Sequence, residues 1–398
     1  MRATTVAMAW CLATVVACGG RYDASGDSPG AGGTRSGASN TGASNTGASN
    51  TGASNTGIPS AGSPTISPAG GATMVGVGGT TTVEPITPIE QDVPGACPDS
   101  PPQSAPQAPF AAPSVVWSRV AMLTWGKLVG PLSPLPPTTT SGWAAELVDP
   151  ALNGALKALG GAPGVETYLR QLLGLDPTAP FQMAWRGQVP TNQPLPELLL
   201  TARLGGTGRI GIFTEPSWLA LHPNISSRGT GVYHSLFATE VPPPPPGTTN
   251  TKLDPSLPDR VALEQSLSQP VCAACHNLID QPGFALGHFA ADGTYRDQDH
   301  GLPIDTTGTL GLGQNQLNVG FDGIEDFGLK ALQSCATTFG VADGFLRAAL
   351  VINNAPQDAR ERLFQASQWQ VRQGFRNGQR TYAALVRAYI QSPAGLNP

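Results

Sequence analysis

The first quarter of the chain consists of residues that cannot build a hydrophobic core. Gly37 to Thr56 is four copies of Gly-Ala-Ser-Asn-Thr, and residues 19–109 are mostly small residues, Thr and Pro. Such a segment buries too little apolar surface to offset the entropy lost on ordering. We therefore expect a long disordered tether over residues 18–109, with the folded body starting near Phe110.

An export signal is predicted ahead of the tether. Arg2 precedes an uncharged, mostly apolar run that is too short to span a bilayer, which takes about 20 residues. The sequence Val-Val-Ala-Cys, ending at Cys18, resembles a lipobox, in which residues 1–17 are removed and the cysteine is acylated. The alternative is an ordinary signal peptide with an incidental cysteine. We expect lipidation at Cys18, so that the membrane itself is a partner. Gly19 is not the Asp of a retention signal, which favours the outer membrane.

Charge and motifs narrow the classes of function. Only 12% of the 398 residues are charged and the net charge is -5, so nucleic acid is not an expected partner. The sequence contains no nucleophile elbow, Walker loop, Rossmann fingerprint or zincin motif. It therefore leaves open whether the protein is an enzyme.

Apolar residues recur at helical spacing after Phe110. In the segment 165–173 they fall on one face of a predicted helix. These residues are Val165, Tyr168, Leu169, Leu172 and Leu173. Pro216 opens a second predicted helix, residues 231–239 form a third, and further helical segments follow residue 324. Because alternating strand patterns are scarce, we predict a mainly α body.

The back half contains the sequence Cys272-Ala-Ala-Cys275-His276. C-x-x-C-H is the attachment sequence for c-type haem. On one helical turn these positions share a face, so both sulfurs can reach the vinyl groups of one porphyrin and His276 the iron. Three other readings stay open: a disulfide between the two cysteines, a zinc site formed with a His, or no site at all.

The residues after this motif resemble a known family. Asn277–Leu286, His288–Arg296 and Pro303–Asp305 are similar to the pattern CxxCHxxIDPxGFALExFDxxGxYR, followed by PID and a Gly. This pattern is that of the cytochrome-c-like exported proteins of planctomycete and myxobacterial type. They carry domain-of-unknown-function family 1588, followed by family 1585. The resemblance covers about residues 209–398 and implies a haem-binding domain rather than a particular reaction. Gln281 and the Gly287-His288 step depart from the pattern.

A run of five prolines, Pro242–Pro246, is interpreted as a stiff connector rather than as a ligand for the groove of a binding domain. Together with the tether and the family resemblance, it gives the expected domain organisation. The predicted segments are a signal peptide 1–17, a lipidated tether 18–109, a helical region 110–240, a Pro-rich linker 241–257, a small cytochrome-c-like domain 258–321 and a C-terminal helical domain 322–398.

The next expectation concerns the second axial ligand of the haem iron. No Met follows His276, so a Met ligand would have to be Met122 or Met183 from the front half. The nearer donors are His288 and His300. We predict no Met ligation, and either one of these two histidines or an open position opposite His276.

Counting the cysteines predicts one disulfide. Cys11 leaves with the signal peptide, Cys18 is acylated and the motif cysteines hold haem. Cys97 and Cys335 remain, and in an oxidising compartment two such thiols usually pair.

Three polar residues near the motif have expected structural roles. Asp280 and Asp305 are predicted to brace turns by accepting backbone N–H bonds, and the alternative is a catalytic carboxylate, although nothing pairs them in sequence. Arg296 either binds a haem propionate or pairs with an Asp or with solvent.

The sequence thus predicts a membrane-anchored, exported protein with covalent haem c. It would pass electrons to an unknown redox partner or support an exported oxidoreductase. The alternative is a non-catalytic, disulfide-stabilised surface lipoprotein without haem that binds through its helical body. A third reading is the remnant of a larger exported enzyme.

Overall fold

A computed structural model describes most of the chain after Phe110. The described residues are 111–131, 134–135, 142–176, 193–203, 206–244, 252–267, 270–310 and 319–396. All of them belong to one compact unit. The predicted signal peptide, the tether, Cys18, Cys97 and Met183 lie outside the described residues.

The described body is mainly helical, as the sequence predicts. The helices before the proline run are α1 Pro113–Trp125, α2 Gly142–Glu146, α3 Val148–Leu159, α4 Pro163–Leu172, α5 Leu195–Thr201, a 3-10 helix Ile212–Thr214, α6 Pro216–Leu221 and α7 Ile225–Phe237. Those after it are α8 Asp259–Ser266, α9 Pro270–Phe284, α10 Gly323–Leu332, α11 Cys335–Ile352, α12 Gln357–Asn377, α13 Tyr382–Gln391 and α14 Pro393–Leu396.

Two small antiparallel strand pairs lie between α9 and α10 in the described residues. Strand β1 (Gln298–Asp299) pairs with β2 (Leu302–Pro303). Strand β3 (Thr307–Leu310) pairs with β4 (Val319–Asp322), and Thr307 lies opposite Asp322. Because β3 packs against α9 and β4 leads directly into α10, these strands connect the motif helix to the C-terminal helices.

Helix α4 shows how the local sequence sets a helix and its buried face. Pro163 stands in its first turn, where a missing N–H has no cost, and Glu166 pairs with Arg170 one turn later at 2.9 Å. The predicted apolar face is buried in full, from Val165 to Leu173. It packs against α1 and α11.

The main core joins the two halves of the body through aromatic rings. Tyr168 of α4 lies 5.4 Å from Phe345 of α11, between ring centroids. Phe345 in turn contacts Tyr382 at 5.7 Å and Tyr389 at 6.2 Å, both on α13. The Tyr382 hydroxyl donates to the carbonyl of Leu123 at 2.8 Å, so this buried polar group is satisfied.

Helix α11 is the most apolar of the described helices. Its length and hydropathy would suit a membrane span, but 78% of that window is buried inside the fold, as expected for a core helix. Cys335 at its start is disulfide-bonded. Neither Cys272 nor Cys275 is in a disulfide, so the partner lies outside the described residues. Pairing with Cys97 stays a prediction.

Helices α7 and α9 cross in backbone contact, although the proline run separates them in sequence. A Cβ on Gly229 of α7 would lie 1.5 Å from the carbonyl oxygen of Ile279. A Cβ on Gly283 of α9 would lie 2.1 Å from the carbonyl oxygen of Ile225. Glycine is therefore required at both points, and the two helices approach more closely than side chains would allow.

A second, small apolar cluster fastens α8 to this crossing. It consists of Ile225 of α7, Leu263 of α8 and Phe284 at the end of α9, with Leu267 packed against it. The residues just after α9 join the main core instead, through Ala285, Leu286 and Phe289. The motif helix is thus held between the main core and a minor one.

Candidate functional site

The motif lies in the first two turns of helix α9. The helix begins at Pro270, where proline is tolerated because the first N–H groups of a helix have no partner. Pro282 lies inside α9 near its end, and the helix stops two residues later at Phe284. Proline has no N–H to donate to the carbonyl four residues earlier, and its ring crowds that carbonyl, so Pro282 weakens the last turn of α9.

The three motif side chains are all half-buried, so they are accessible from solvent. Cys272 and Cys275 do not form a disulfide with each other. The imidazole of His276 is 30% exposed. Within the described residues, no three His, Cys, Asp or Glu side chains are grouped closely enough to bind a metal ion, so the zinc alternative gains no support.

His276 is held through one ring nitrogen by Asp280, one helical turn further along α9. Nδ1 of His276 lies 3.1 and 3.2 Å from the two carboxylate oxygens of Asp280. The Oγ of Ser226 on α7 lies 3.4 Å from the same nitrogen. Since a carboxylate only accepts hydrogen bonds, the proton belongs on Nδ1, and the lone pair of Nε2 is left for another partner.

The burial of Asp280 is a consequence of the helix crossing. Its side chain is only 5% exposed, because Gly229 brings the α7 backbone against Ile279 and Asp280. The expectation that Asp280 braces a turn was wrong, since it lies within a helix and faces His276. Asp305 does brace a turn, accepting from the backbone N–H of Thr307 at 2.9 Å.

The two histidines proposed as distal ligands have other contacts in the structure. His288 Nδ1 donates to the carbonyl of Arg296 at 2.8 Å. His300 Nδ1 lies 3.0 Å from the carboxylate of Asp299, and its Nε2 donates to the carbonyl of Pro255 at 3.0 Å. Both nitrogens of His300 are therefore engaged, whereas His288 has no partner for Nε2 within the described residues.

Met122, the described methionine among the two candidate ligands, belongs to a different part of the fold. It lies on α1, half-buried against the main core. Helix α1 packs mainly against α3 and α4, whereas α9 packs mainly against α7. That no Met ligates the iron stays a prediction.

Two arginines hold the loop that follows α9. Arg228 of α7 is buried and donates to the carbonyl of Leu286 at 3.0 Å. Burial, together with the nearby charge of Arg296, lowers the pKa of Arg228 to about 10. Arg296 pairs with Asp259 at 2.7 Å and with Asp299 at 3.2 Å. Of the roles left open for Arg296, the structure therefore shows pairing with Asp.

A cavity of about 440 Å³ lies next to the site, between the start of α7, α8 and the loop after α9. Phe284 forms an apolar wall, and the Arg260 guanidinium lies 4.1 Å from the centroid of its ring. Ser226 lines this cavity and also contacts His276, but the motif side chains themselves do not line it. The cavity thus adjoins the motif through Ser226.

A buried carboxyl and a half-buried imidazole flank the short helix α6, and both have pKa values far from their ordinary ranges. Burial raises the pKa of the Glu215 carboxyl to about 7, against the opposing charge of Arg209. Burial lowers the pKa of His222 to about 4. Both groups are therefore largely uncharged between these values, as expected for side chains removed from water.

The residues present fit a covalently attached haem. The donor set consists of two thiols that are not in a disulfide and one imidazole whose Nε2 has no partner within the described residues. All three side chains are half-exposed on one helix, so a bulky group could reach them. This chemistry matches two thioether bonds and one axial nitrogen ligand.

Fold and site together define a mainly helical body that carries a C-x-x-C-H helix packed against α7 at two glycine contacts. Residues 209–299 match the model of PSCyt3, a family described as proteins of unknown function (DUF1588). The match covers α6 to α9 and strand β1 and supports a cytochrome-c-related domain in this segment. No curated protein and no solved structure matches the chain. The second family, 1585, stays a prediction.

Sequence reasoning missed two residues of the site, Asp280 as the partner of His276 and Ser226. The spacing from His276 to Asp280 is four, which places the two side chains on one face of a helix. That signal was readable once the motif had been assigned to a helix. Ser226 had no such signal, because only the crossing of α7 and α9 brings it to the motif.

Proposed function

We propose that this protein is an exported, membrane-anchored c-type haem protein that transfers single electrons to or from a partner protein. The observation that carries the proposal is the half-exposed C-x-x-C-H turn of α9, with both thiols outside any disulfide and His276 pinned through Nδ1. The family match to residues 209–299 supports the same interpretation.

In this proposal Cys272 and Cys275 hold the haem covalently. Each S–H adds across one vinyl C=C, so that an S–C bond forms and the proton goes to the other vinyl carbon. The addition consumes no oxidant or reductant. His276 would bind the iron through Nε2, and the haem, once bound, would supply a one-electron couple. Export precedes this chemistry, which is consistent with the predicted signal over residues 1–17.

The surrounding residues orient the helix rather than react. Gly229 and Gly283 fix α9 against α7, and the guanidinium of Arg228 ties the loop after α9 to the start of α7. The iron would have either no second protein ligand or His288, since both ring nitrogens of His300 are engaged elsewhere.

Anchoring is proposed to occur through acylated Cys18, with residues 18–109 as the tether, at the outer membrane. The support is the lipobox-like Val-Val-Ala-Cys and the low-complexity tract after it. Treated as a flexible coil, such a tether has a root-mean-square reach of roughly 50 Å. The body could then meet partners at some distance from the membrane.

One experiment tests both parts of the proposal. The full chain is produced in a Gram-negative host with a haem-attachment system, and membranes are separated from soluble material. We expect a red membrane fraction with a c-type absorption band that remains after denaturation. A double Cys272→Ala and Cys275→Ala variant should lose the covalent band, whereas Cys18→Ala should move the colour to the soluble fraction.

The outcomes separate the competing readings. A colourless wild-type protein that is otherwise folded and exported would favour the disulfide-stabilised surface lipoprotein. A red protein that stays with the membrane after Cys18→Ala and a high-salt wash would show that acylation of Cys18 is not the anchor.

A further inference from the structure

Asp280 carries a buried carboxylate that faces the motif histidine. Within the described residues its hydrogen bonds go only to Nδ1 of His276, at 3.1 and 3.2 Å. A carboxylate that is 5% exposed is costly unless it is paired, so its single partner is informative. No turn or helix end uses this group.

We propose that Asp280 is a positioning residue that sets the electron affinity of the haem. Its carboxylate fixes the proton of His276 on Nδ1, so that Nε2 points its lone pair at the iron. The carboxylate also makes Nε2 a stronger electron donor to the iron. The inference rests on the proposed function, because it requires a haem bound at His276.

The physical reason lies in the charge of the partner. A ring N–H that donates to a carboxylate gains partial imidazolate character, which raises the basicity of the opposite nitrogen. A more basic ligand stabilises the ferric state, with its higher charge, more than the ferrous state. The pair therefore lowers the reduction potential. A neutral acceptor for the Nδ1–H bond would lower the reduction potential far less.

The fold maintains this pair without a flexible element. His276 and Asp280 are one turn apart on α9, and the backbone contact at Gly229 closes the crossing over Asp280. Ser226, on the opposite helix, has a neutral hydroxyl 3.4 Å from the same nitrogen. It is the natural replacement partner once the carboxylate is removed.

The test compares Asp280→Asn with Asp292→Asn in the full haem-loaded chain. Asn keeps the shape and one acceptor oxygen but removes the charge. Asp292 is an exposed carboxylate on a turn of the same matched segment, so its variant controls for a general change of net charge. At one fixed potential, Asp280→Asn should raise the ratio of reduced to oxidised haem at least tenfold, equivalent to about 59 mV for one electron.

A second measurement needs no variant and therefore also covers the case in which Asp280→Asn does not fold. In the ¹⁵N-histidine-labelled full chain before haem attachment, nuclear magnetic resonance at alkaline pH should show His276 as the Nδ1–H tautomer.

The possible outcomes distinguish this inference from the proposed function. A c-type band with equal ratios in the Asp280→Asn and Asp292→Asn variants would overturn the role of Asp280 and leave the haem protein intact. An Nε2–H tautomer of His276 would overturn it as well. A wild-type chain that takes up no haem would overturn the proposed function, and with it this inference.

Discussion

The C-terminal helices and the α7–α9 crossing are held together in different ways. Around Phe345 the structure is stabilised by aromatic rings, with Tyr168, Tyr382 and Tyr389 in contact. At the crossing, glycines put backbone against backbone, and the apolar cluster beside it has only three buried members. The C-terminal helices are stabilised mainly by buried apolar area, whereas the α7–α9 crossing is stabilised by close backbone packing and hydrogen bonds.

This difference matches what each region has to do. The rings around Phe345 are removed from water and can be exchanged for others of similar volume at modest cost. In the proposed haem protein, the motif helix must keep two thiols and an imidazole within reach of solvent, so it cannot be covered by apolar side chains. Positioning by glycine contacts and by buried polar groups leaves one face of the helix available for chemistry.

The largest expected effect of a single substitution lies in the aromatic core. Replacing Phe345 with Ala should lower the free energy of unfolding by about 3–5 kcal/mol, since a fully buried ring is lost and a cavity remains. Urea unfolding followed by circular dichroism measures this. Val351→Ala, at a partly exposed position on the same helix, should cost about 0.5 kcal/mol and serves as the control. Equal costs for the two variants would contradict the assignment of Phe345 to the core.

A smaller but more local effect is expected at the crossing. Ala is intrinsically better than Gly in a helix by about 1 kcal/mol, yet a Cβ on Gly229 would lie 1.5 Å from the Ile279 carbonyl. Because backbone cannot move aside as a side chain does, the clash should win, with a net loss of about 2–3 kcal/mol.

Hydrogen exchange should place that loss in α7 and α9. The control is Gly130→Ala, at a non-helical glycine where nothing lies within 4 Å of an added Cβ. If Gly229→Ala is as stable as this control, the close crossing of the two helices is wrong. Faster exchange confined to α11 and α13 would equally contradict the contrast between the two regions.

The smallest of the three effects depends on pH and lies within the segment that carries the motif. Glu215 has an ordinary pKa of 4.5 and a folded pKa of about 7, so the folded chain binds more protons between these values. Stability contributed by this group is therefore lost as the pH rises from 4.5 to 7. Glu215→Gln should leave stability nearly unchanged at pH 4 and raise it by about 2 kcal/mol at pH 8.

The difference between wild type and Glu215→Gln isolates this one group. His222, with its pKa lowered to about 4, is present in both proteins, so its opposite pH dependence cancels. Thermal or urea unfolding at several pH values measures the difference. A stability difference that does not change between pH 4 and pH 8 would show that Glu215 does not titrate as described.

Periodic patterns predicted the helical body well. The face of α4 from Val165 to Leu173 is buried as expected, and α6 begins at Pro216. These are local properties, because a helix with one apolar stripe needs only some apolar surface to pack on. The periodic pattern does not predict which element packs against each apolar face. Nothing in the sequence near Tyr168 indicates that Phe345 would lie against it.

The candidate site shows the same division at the level of single residues. The spacing of Cys272, Cys275 and His276 predicts a shared face of one helix. His300 was one of two candidate donors to the iron, chosen for its position after the motif, and in the structure its ring nitrogens contact Asp299 and the carbonyl of Pro255. His300 lies in a turn and has a left-handed backbone conformation, which sets the direction of its side chain. The sequence alone did not reveal this conformation.

The sequence by itself determined the helical class of the body, the helix that carries the motif and the chemistry of its three side chains, because these depend on residues within a few positions of one another. Only the tertiary structure decided which groups surround that chemistry. The burial of Asp280 and the approach of Ser226 both require Gly229, on a helix that is distant in sequence, to meet the α9 backbone. A glycine has no side chain that could contribute to a local sequence pattern. Its effect appears only where another segment of the chain packs into the space beside it.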